Sequence, residues 1–137
     1  MILIAHRGNI NGPNKERENK PDYIDEALAA GFDVELDVWI KDDNLFLGHD
    51  EPETQIDINF LHERASKLWC HAKNLKALEF LLDNGFHTFS HDVDEYTITS
   101  KGYIWAHPNS KFSSKTICVM GTPTPDCLGW CSDYIGL

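Results

Sequence analysis

Six consecutive residues, Asp33-Val34-Glu35-Leu36-Asp37-Val38, alternate acid and aliphatic without a break. A period of two is the mark of a β-strand, whose successive side chains point to opposite faces. A helix would scatter these carboxylates around its circumference. The stretch therefore predicts a strand over 32–40, with one face apolar and the other carrying Glu35 and Asp37 together.

Short apolar runs at 2–5, 45–47, 68–70, 86–89, 103–106, 116–120 and 130–132 predict further strands. Between the early ones lie helical patterns. Asp22 suits the N-cap of a helix through Ala30, with Gly31 as its stop. A second helix is expected over 58–65. A third is expected over 75–82, where Leu75, Leu78, Leu81 and Leu82 form a stripe and Asn84-Gly85 closes it. Residues 9–21 are polar and broken by Gly12-Pro13 and Pro21, so they predict a loop. Lys41-Asp42-Asp43-Asn44 predicts a tight hairpin turn. Strands alternating with helices define an α/β chain. Its 137 residues suit one domain, 1–137, but fall short of the roughly 200 of a complete eightfold barrel. After Ser90 the spacers are too short for full helices.

Polar residues gather where the strands end: His6-Arg7, Glu35 with Asp37, His71 with Lys73, and His91-Asp92. In parallel α/β folds that edge is where sites are built. With a hairpin centred on Asp43, Asp37 stands opposite His49, and such neighbours share a face about 4.5–5.5 Å apart. A slip of one residue would turn His49 to the other face. Two carboxylates with an imidazole beside them suit a hard divalent cation such as Mg²⁺ or Ca²⁺.

The chain carries 22 acidic and 12 basic residues, a net charge of −10. This excess argues against a nucleic-acid or anionic-membrane surface. A phosphate ester stays admissible as substrate, because a bound divalent cation reverses the sign of an acidic cleft. Cys70, Cys118, Cys127 and Cys131 form no Cys-x-x-Cys pair, and the first two fall in apolar runs. They read as reduced and inert rather than as a zinc site. The apolar start ends at His6-Arg7, too short for a signal-peptide core, and no segment reaches the length of a membrane span. The expectation is a cytoplasmic protein.

The order His6-Arg7-Gly8, Glu18-Asn19, Ala27 to Gly31, Glu35-Leu36-Asp37-Val38, Asp42-Asp43-Asn44 and His49-Asp50 resembles the opening half of a glycerophosphodiester phosphodiesterase. Weaker echoes follow in Ala72-Lys73-Asn74, Tyr103-Ile104-Trp105-Ala106 and Cys131-Ser132-Asp133-Tyr134. The resemblance implies a small, trimmed (β/α) TIM-type barrel with several helices reduced to loops. It also implies a metal-dependent phosphodiesterase acting on a glycerophosphodiester-like or other small phosphodiester. Glu35 and Asp37 would ligate the metal, His6 and His49 would form the acid–base pair, and Arg7 would grip the phosphate.

The chain departs from the family at His71, where a third metal-binding Glu normally stands. Either His71 is the third ligand, in which case a nitrogen donor tilts preference toward Mn²⁺ or Zn²⁺, or it lines the pocket and the site keeps two carboxylates with more water. Glu18 and Asn19 read as substrate contacts or braces of the first loop, Lys73 as lining the pocket, and Trp105 as substrate platform or core. His91 and Asp92 read as the start of a loop. Two rival readings accompany the enzyme. One is a binding module that kept the phosphate or metal pocket and lost turnover. The other is a homo-oligomer whose partner copy covers an incomplete barrel edge.

Overall fold

The computed structural model describes residues 1–136. Its elements in chain order are β1 (Ile2–His6), α1 (Pro21–Ala29), β2 (Asp33–Lys41), β3 (Asn44–Leu47) and β4 (Thr54–Ile56). Then come α2 (Ile58–Arg64), which runs into a 3₁₀ turn at Ala65–Lys67, β5 (Leu68–Ala72), α3 (Leu75–Asp83) and β6 (Thr88–Phe89). The chain finishes with β7 (Tyr96–Ile98), β8 (Ile104–Ala106), β9 (Thr116–Val119) and β10 (Gly129–Ser132).

All ten strands belong to one sheet, ordered β4-β3-β2-β1-β10-β9-β8-β7, with β5 on β2 and β6 on β5. The sheet is mixed. Strand β1 pairs parallel with both β2 and β10, whereas β3, β4 and β7 run antiparallel to their neighbours. This overturns the expected (β/α) TIM-type barrel: the fold is a strand-rich sheet curled into a half-barrel, with only three short α-helices among the described residues. The reason lies in the connections. A crossover between parallel strands needs a dozen or more residues to carry a helix. After β6 every connection stays short and none forms one.

The alternation in β2 sorts its side chains as the sequence predicts. Val34, Leu36 and Val38 face a core completed by Ile24 and Ala27 of α1, Leu61 of α2, and Ala77 and Leu81 of α3. Fully burying each such aliphatic contributes about 1.5–3 kcal/mol. On the opposite face Glu35 is in register with Trp69, which joins Ile4, Phe89, Trp105, Ile117 and Cys131 in a second cluster. The same alternation thus holds the helices on one side and places carboxylates beside an aromatic core on the other.

Several local expectations are corrected. Helix α1 starts at Pro21, and Lys20 stands at its N-cap without a side-chain bond; Asp22 lies in the first turn. Pro is well placed there, because its missing N–H has no partner to lose. Helices α2 and α3 are capped as the physics favours, by Asp57 accepting from Phe60 N and by Asn74 accepting from Ala77 N. Strands β4 and β7 were absent from the sequence expectation.

The hairpin differs by one residue. Asp42 and Asp43 both take left-handed φ, +51° and +63°, forming a two-residue turn that pairs Lys41 with Asn44. Asp37 therefore lies beside Gly48, whose N–H donates to the Asp37 carbonyl at 3.2 Å. His49 lies beyond the end of β3, not across from Asp37. Gly48 is required at the exit: a Cβ there would sit 2.0 Å from the Glu51 carbonyl oxygen. Among the described residues no helix is long and apolar enough to cross a membrane.

Candidate metal centre and phosphate cleft

Parallel pairing places His6 in register with Glu35, and Asp37 in register with His71. Register-matched side chains share a face, so three neighbouring strands deliver their polar ends to one place. Ligand atoms of Glu35, Asp37 and His71 all lie within 4.8 Å of one another, and this group could hold a metal ion. Both acids are deeply buried, at 2% and 1% exposure. Charges so far from water cost several kcal/mol each unless they are compensated.

Compensation is present but incomplete. His71 Nδ1 stands 3.2 Å from Asp37 Oδ1 and 3.6 Å from Glu35 Oε2. Arg7 Nε is 3.5 Å from Asp37 Oδ2. Asn19 holds Asp37 twice, donating from Nδ2 to Oδ2 at 3.0 Å and accepting from the Asp37 backbone N–H at 2.9 Å. Even so, Glu35 Oε1, Asp37 Oδ1 and Arg7 Nε are buried without a hydrogen-bond partner. Most buried polar atoms are satisfied, so orphaned carboxylate oxygens on adjoining groups fit a cation. The donor set passes that test.

The titration behaviour follows from these contacts. Burial opposes charge on His71, but the nearby carboxylates of Asp37 and Glu35 win, and its pKa is pushed up to about 9. Burial likewise favours the neutral form of Asp37, yet His71, Asn19 and Arg7 hold its pKa below the ordinary value.

His6 ends β1 with Nδ1 2.7 Å from Asp133 Oδ1 and Nε2 3.9 Å from Glu35 Oε1. Burial works against its charge, but the Asp133 hydrogen bond and the Glu35 carboxylate outweigh it and raise its pKa. Asp133 accepts a second bond from Asn9 Nδ2 at 2.9 Å, and the Asn9 side-chain oxygen accepts from the Tyr23 hydroxyl at 2.9 Å. Asp133, Asn9 and Tyr23 were not among the expected site residues. One signal for Asp133 was available: it follows β10 directly, as His71 and Lys73 mark the end of β5.

Arg7 takes a left-handed φ of +56°, sparsely populated for a non-glycine residue. Its guanidinium is gripped by Glu18, whose Oε1 accepts from Nη1 at 3.2 Å while Oε2 accepts from Asn14 N at 2.7 Å. Gly8, next along, has φ +89° and packs so closely that a Cβ would come 3.0 Å from the Tyr23 ring. Glu18 and Asn19 therefore act here as braces, one on Arg7 and one on Asp37.

A cleft of about 300 Å³ is lined by Arg7, Lys15, Glu18, His49, Asp50 and Glu53. His49 thus reaches the same cleft as Arg7 despite the shifted register. Its ring is exposed, with Nδ1 2.9 Å from Asp50 Oδ1. Lys73 follows β5, half-buried, its backbone N–H donating to Val38 O at 2.9 Å. Trp105 is core, 3% exposed, its ring centroid 4.5 Å from Phe89 and 5.9 Å from Trp69. It offers no open face for a substrate. His91 contributes its carbonyl, which accepts from His71 Nε2 at 2.9 Å.

No protein-family model, curated protein or solved structure matches the chain.

Proposed function

We propose that this protein is a metal-dependent phosphodiesterase that cleaves a small phosphodiester, of the kind its likeness to glycerophosphodiester phosphodiesterases implies. The observation that carries the reading is the pair of orphaned, buried carboxylate oxygens on Glu35 and Asp37, set beside a guanidinium and an oriented imidazole. A divalent ion held by these acids supplies neutralisation of the phosphoryl charge that would otherwise repel an incoming oxygen.

The chain's own residues divide the remaining work. Arg7 offers a planar fork to phosphate oxygens, held in place by Glu18. His6, held through Nδ1 by Asp133 with its pKa raised, is the group that donates an Nε2 proton to the departing oxygen. His49, which lines the cleft together with Arg7, accepts the proton of the attacking hydroxyl or water. The four buried, unpaired cysteines fit the reducing interior of a cell, which supports a cytoplasmic setting.

The test is turnover of bis-p-nitrophenyl phosphate and of glycerophosphodiesters with added divalent metal. Chelator should abolish it, and His6→Ala and His49→Ala should each lower it by about 10²–10⁴-fold. Arg7→Lys should also lower it, because an ammonium cannot grip phosphate through two parallel bonds. A second reading has one observation in its favour. His71 and Arg7 already face the two acids, so the fold can stand as a phosphate-ester or metal binding module. No turnover across a broad panel, with phosphate-ester binding indifferent to both His→Ala changes, would select that module.

A further inference from the structure

We infer that Nδ1 of His71 is the third ligand of this centre, and that it makes the site selective for a first-row transition ion, Mn²⁺ or Zn²⁺, over Mg²⁺ and Ca²⁺. The inference rests on the proposal that Glu35 and Asp37 hold a metal, and it adds which class of ion they hold.

The ring is committed in both senses that matter. Its Nε2 lies 2.9 Å from the His91 carbonyl oxygen, which only accepts, and 3.4 Å from the His91 backbone nitrogen, which only donates; the shorter contact assigns the proton to Nε2. In the neutral ring this leaves the Nδ1 lone pair as the free donor, and Nδ1 is the atom facing Asp37 Oδ1 and Glu35 Oε2. The plane is fixed as well, because the ring stacks on Phe89 at 5.0 Å between centroids and 15° between planes. Flipping the ring to turn Nδ1 away would keep the stack but break the carbonyl bond. An imidazole oriented through its second nitrogen in this way is the usual support for a metal-ligating His.

The ligand chemistry then selects the ion. Mg²⁺ and Ca²⁺ take oxygen donors and depend on carboxylate charge, whereas imidazole suits Zn²⁺ well; Mn²⁺ stands between them, an ion of carboxylate sites that as a transition ion also accepts nitrogen. Here Arg7 stands 3.5 Å from Asp37 Oδ2 and offsets part of the charge the two acids present. A hard ion gains little from so reduced a field. An ion that bonds to nitrogen gains a donor already aimed at it.

The experiment uses the full chain stripped with chelator. Calorimetric titration with Zn²⁺, Mn²⁺, Mg²⁺ and Ca²⁺ is run on wild type, His71→Glu and Glu35→Gln, with circular dichroism to confirm folding. Wild type should bind Zn²⁺ and Mn²⁺ more tightly than Mg²⁺ and Ca²⁺ by about 10–100-fold or more. His71→Glu should narrow or reverse that ratio by gaining Mg²⁺ and Ca²⁺ affinity; His71→Gln serves if that variant does not fold. Pulsed electron paramagnetic resonance of the Mn²⁺-loaded chain should show nitrogen modulation from the ring, lost in His71→Glu. A wild type that prefers Mg²⁺ or Ca²⁺, or modulation that survives His71→Glu, overturns the inference. If binding is then still lost in Glu35→Gln, the metal proposal itself stands. Absence of binding by all four ions overturns both.

Discussion

His6 Nδ1 lies 2.7 Å from Asp133 Oδ1, a contact between residues 127 positions apart in the chain. It exists because β1 and β10 pair side by side, with Ala5 in register with Ser132. Asn9 and Tyr23 extend the same line of hydrogen bonds away from the cleft. The imidazole is thereby held through one nitrogen while the other faces Glu35 at 3.9 Å. A ring anchored in this way keeps its tautomer and its aim.

Removing that anchor should be visible in the pH behaviour. His6 has a raised pKa in the folded chain, so its pairing stabilises the fold below the ordinary value of 6.5, and this contribution is lost as pH rises through the raised value. Asp133→Asn should bring the His6 titration to lower pH in NMR spectra of the metal-free protein. If His6 is the acid, the alkaline limb of the rate profile should move the same way, with turnover reduced by up to about 10²–10⁴-fold. An unchanged His6 titration would show that Asp133 does not hold the proton there.

Asn19→Ala removes two bonds to Asp37, one to its carboxylate and one from its backbone N–H. Breaking a buried hydrogen bond and leaving its partner unsatisfied costs about 1–3 kcal/mol. Urea unfolding should therefore show a loss of that order or somewhat more, and metal affinity should fall by about 10–100-fold as Asp37 loses its orientation. Wild-type affinity in this variant would mean that Asn19 braces only the loop.

Gly48→Ala places a methyl group 2.0 Å from the Glu51 carbonyl oxygen, a contact that backbone must move to relieve. A clash of this kind should cost about 3 kcal/mol or more, at or above the upper end of ordinary point substitutions. Because the same segment carries His49, the variant should lose stability and, where folded, turnover together. Denaturant midpoints measured beside activity check both.

His87 supplies a separate acid-sensitive element. Its ring is buried between Trp69 and Tyr103, at 4.2 Å and 5.5 Å between centroids, and Nε2 lies 2.8 Å from Thr99 Oγ1. Burial, with the charge of Lys101 assisting, lowers its pKa to about 4. A folded pKa below the unfolded one means stability present above pH 6.5 and lost as pH falls from there through about 4. Wild type should lose stability over that window more steeply than His87→Phe, which cannot take up the proton. Parallel slopes in equilibrium unfolding would remove His87 from the account.

Much of this was legible in local pattern. The acid–aliphatic alternation of 33–38 identified β2 and put Glu35 and Asp37 on one face, because strand periodicity is a property of consecutive residues. The leucine stripe of α3 and the polar strand ends of His6 and His71 were legible for the same reason. What neighbouring residues do not encode is which distant strand lies alongside, or how many residues a turn consumes. The two-residue turn at Asp42-Asp43 shifted His49 by one position, and its left-handed φ pair is stabilised by the twist of the strands it joins. The pairing of β1 with β10 brought in Asp133, and the closing of β5, β6 and β8 around one aromatic cluster buried Trp105. Periodicity decided each element and the face it shows. The curl of the sheet alone decided which faces meet, since contacts between strands far apart in sequence form only once the apolar faces have been drawn out of water.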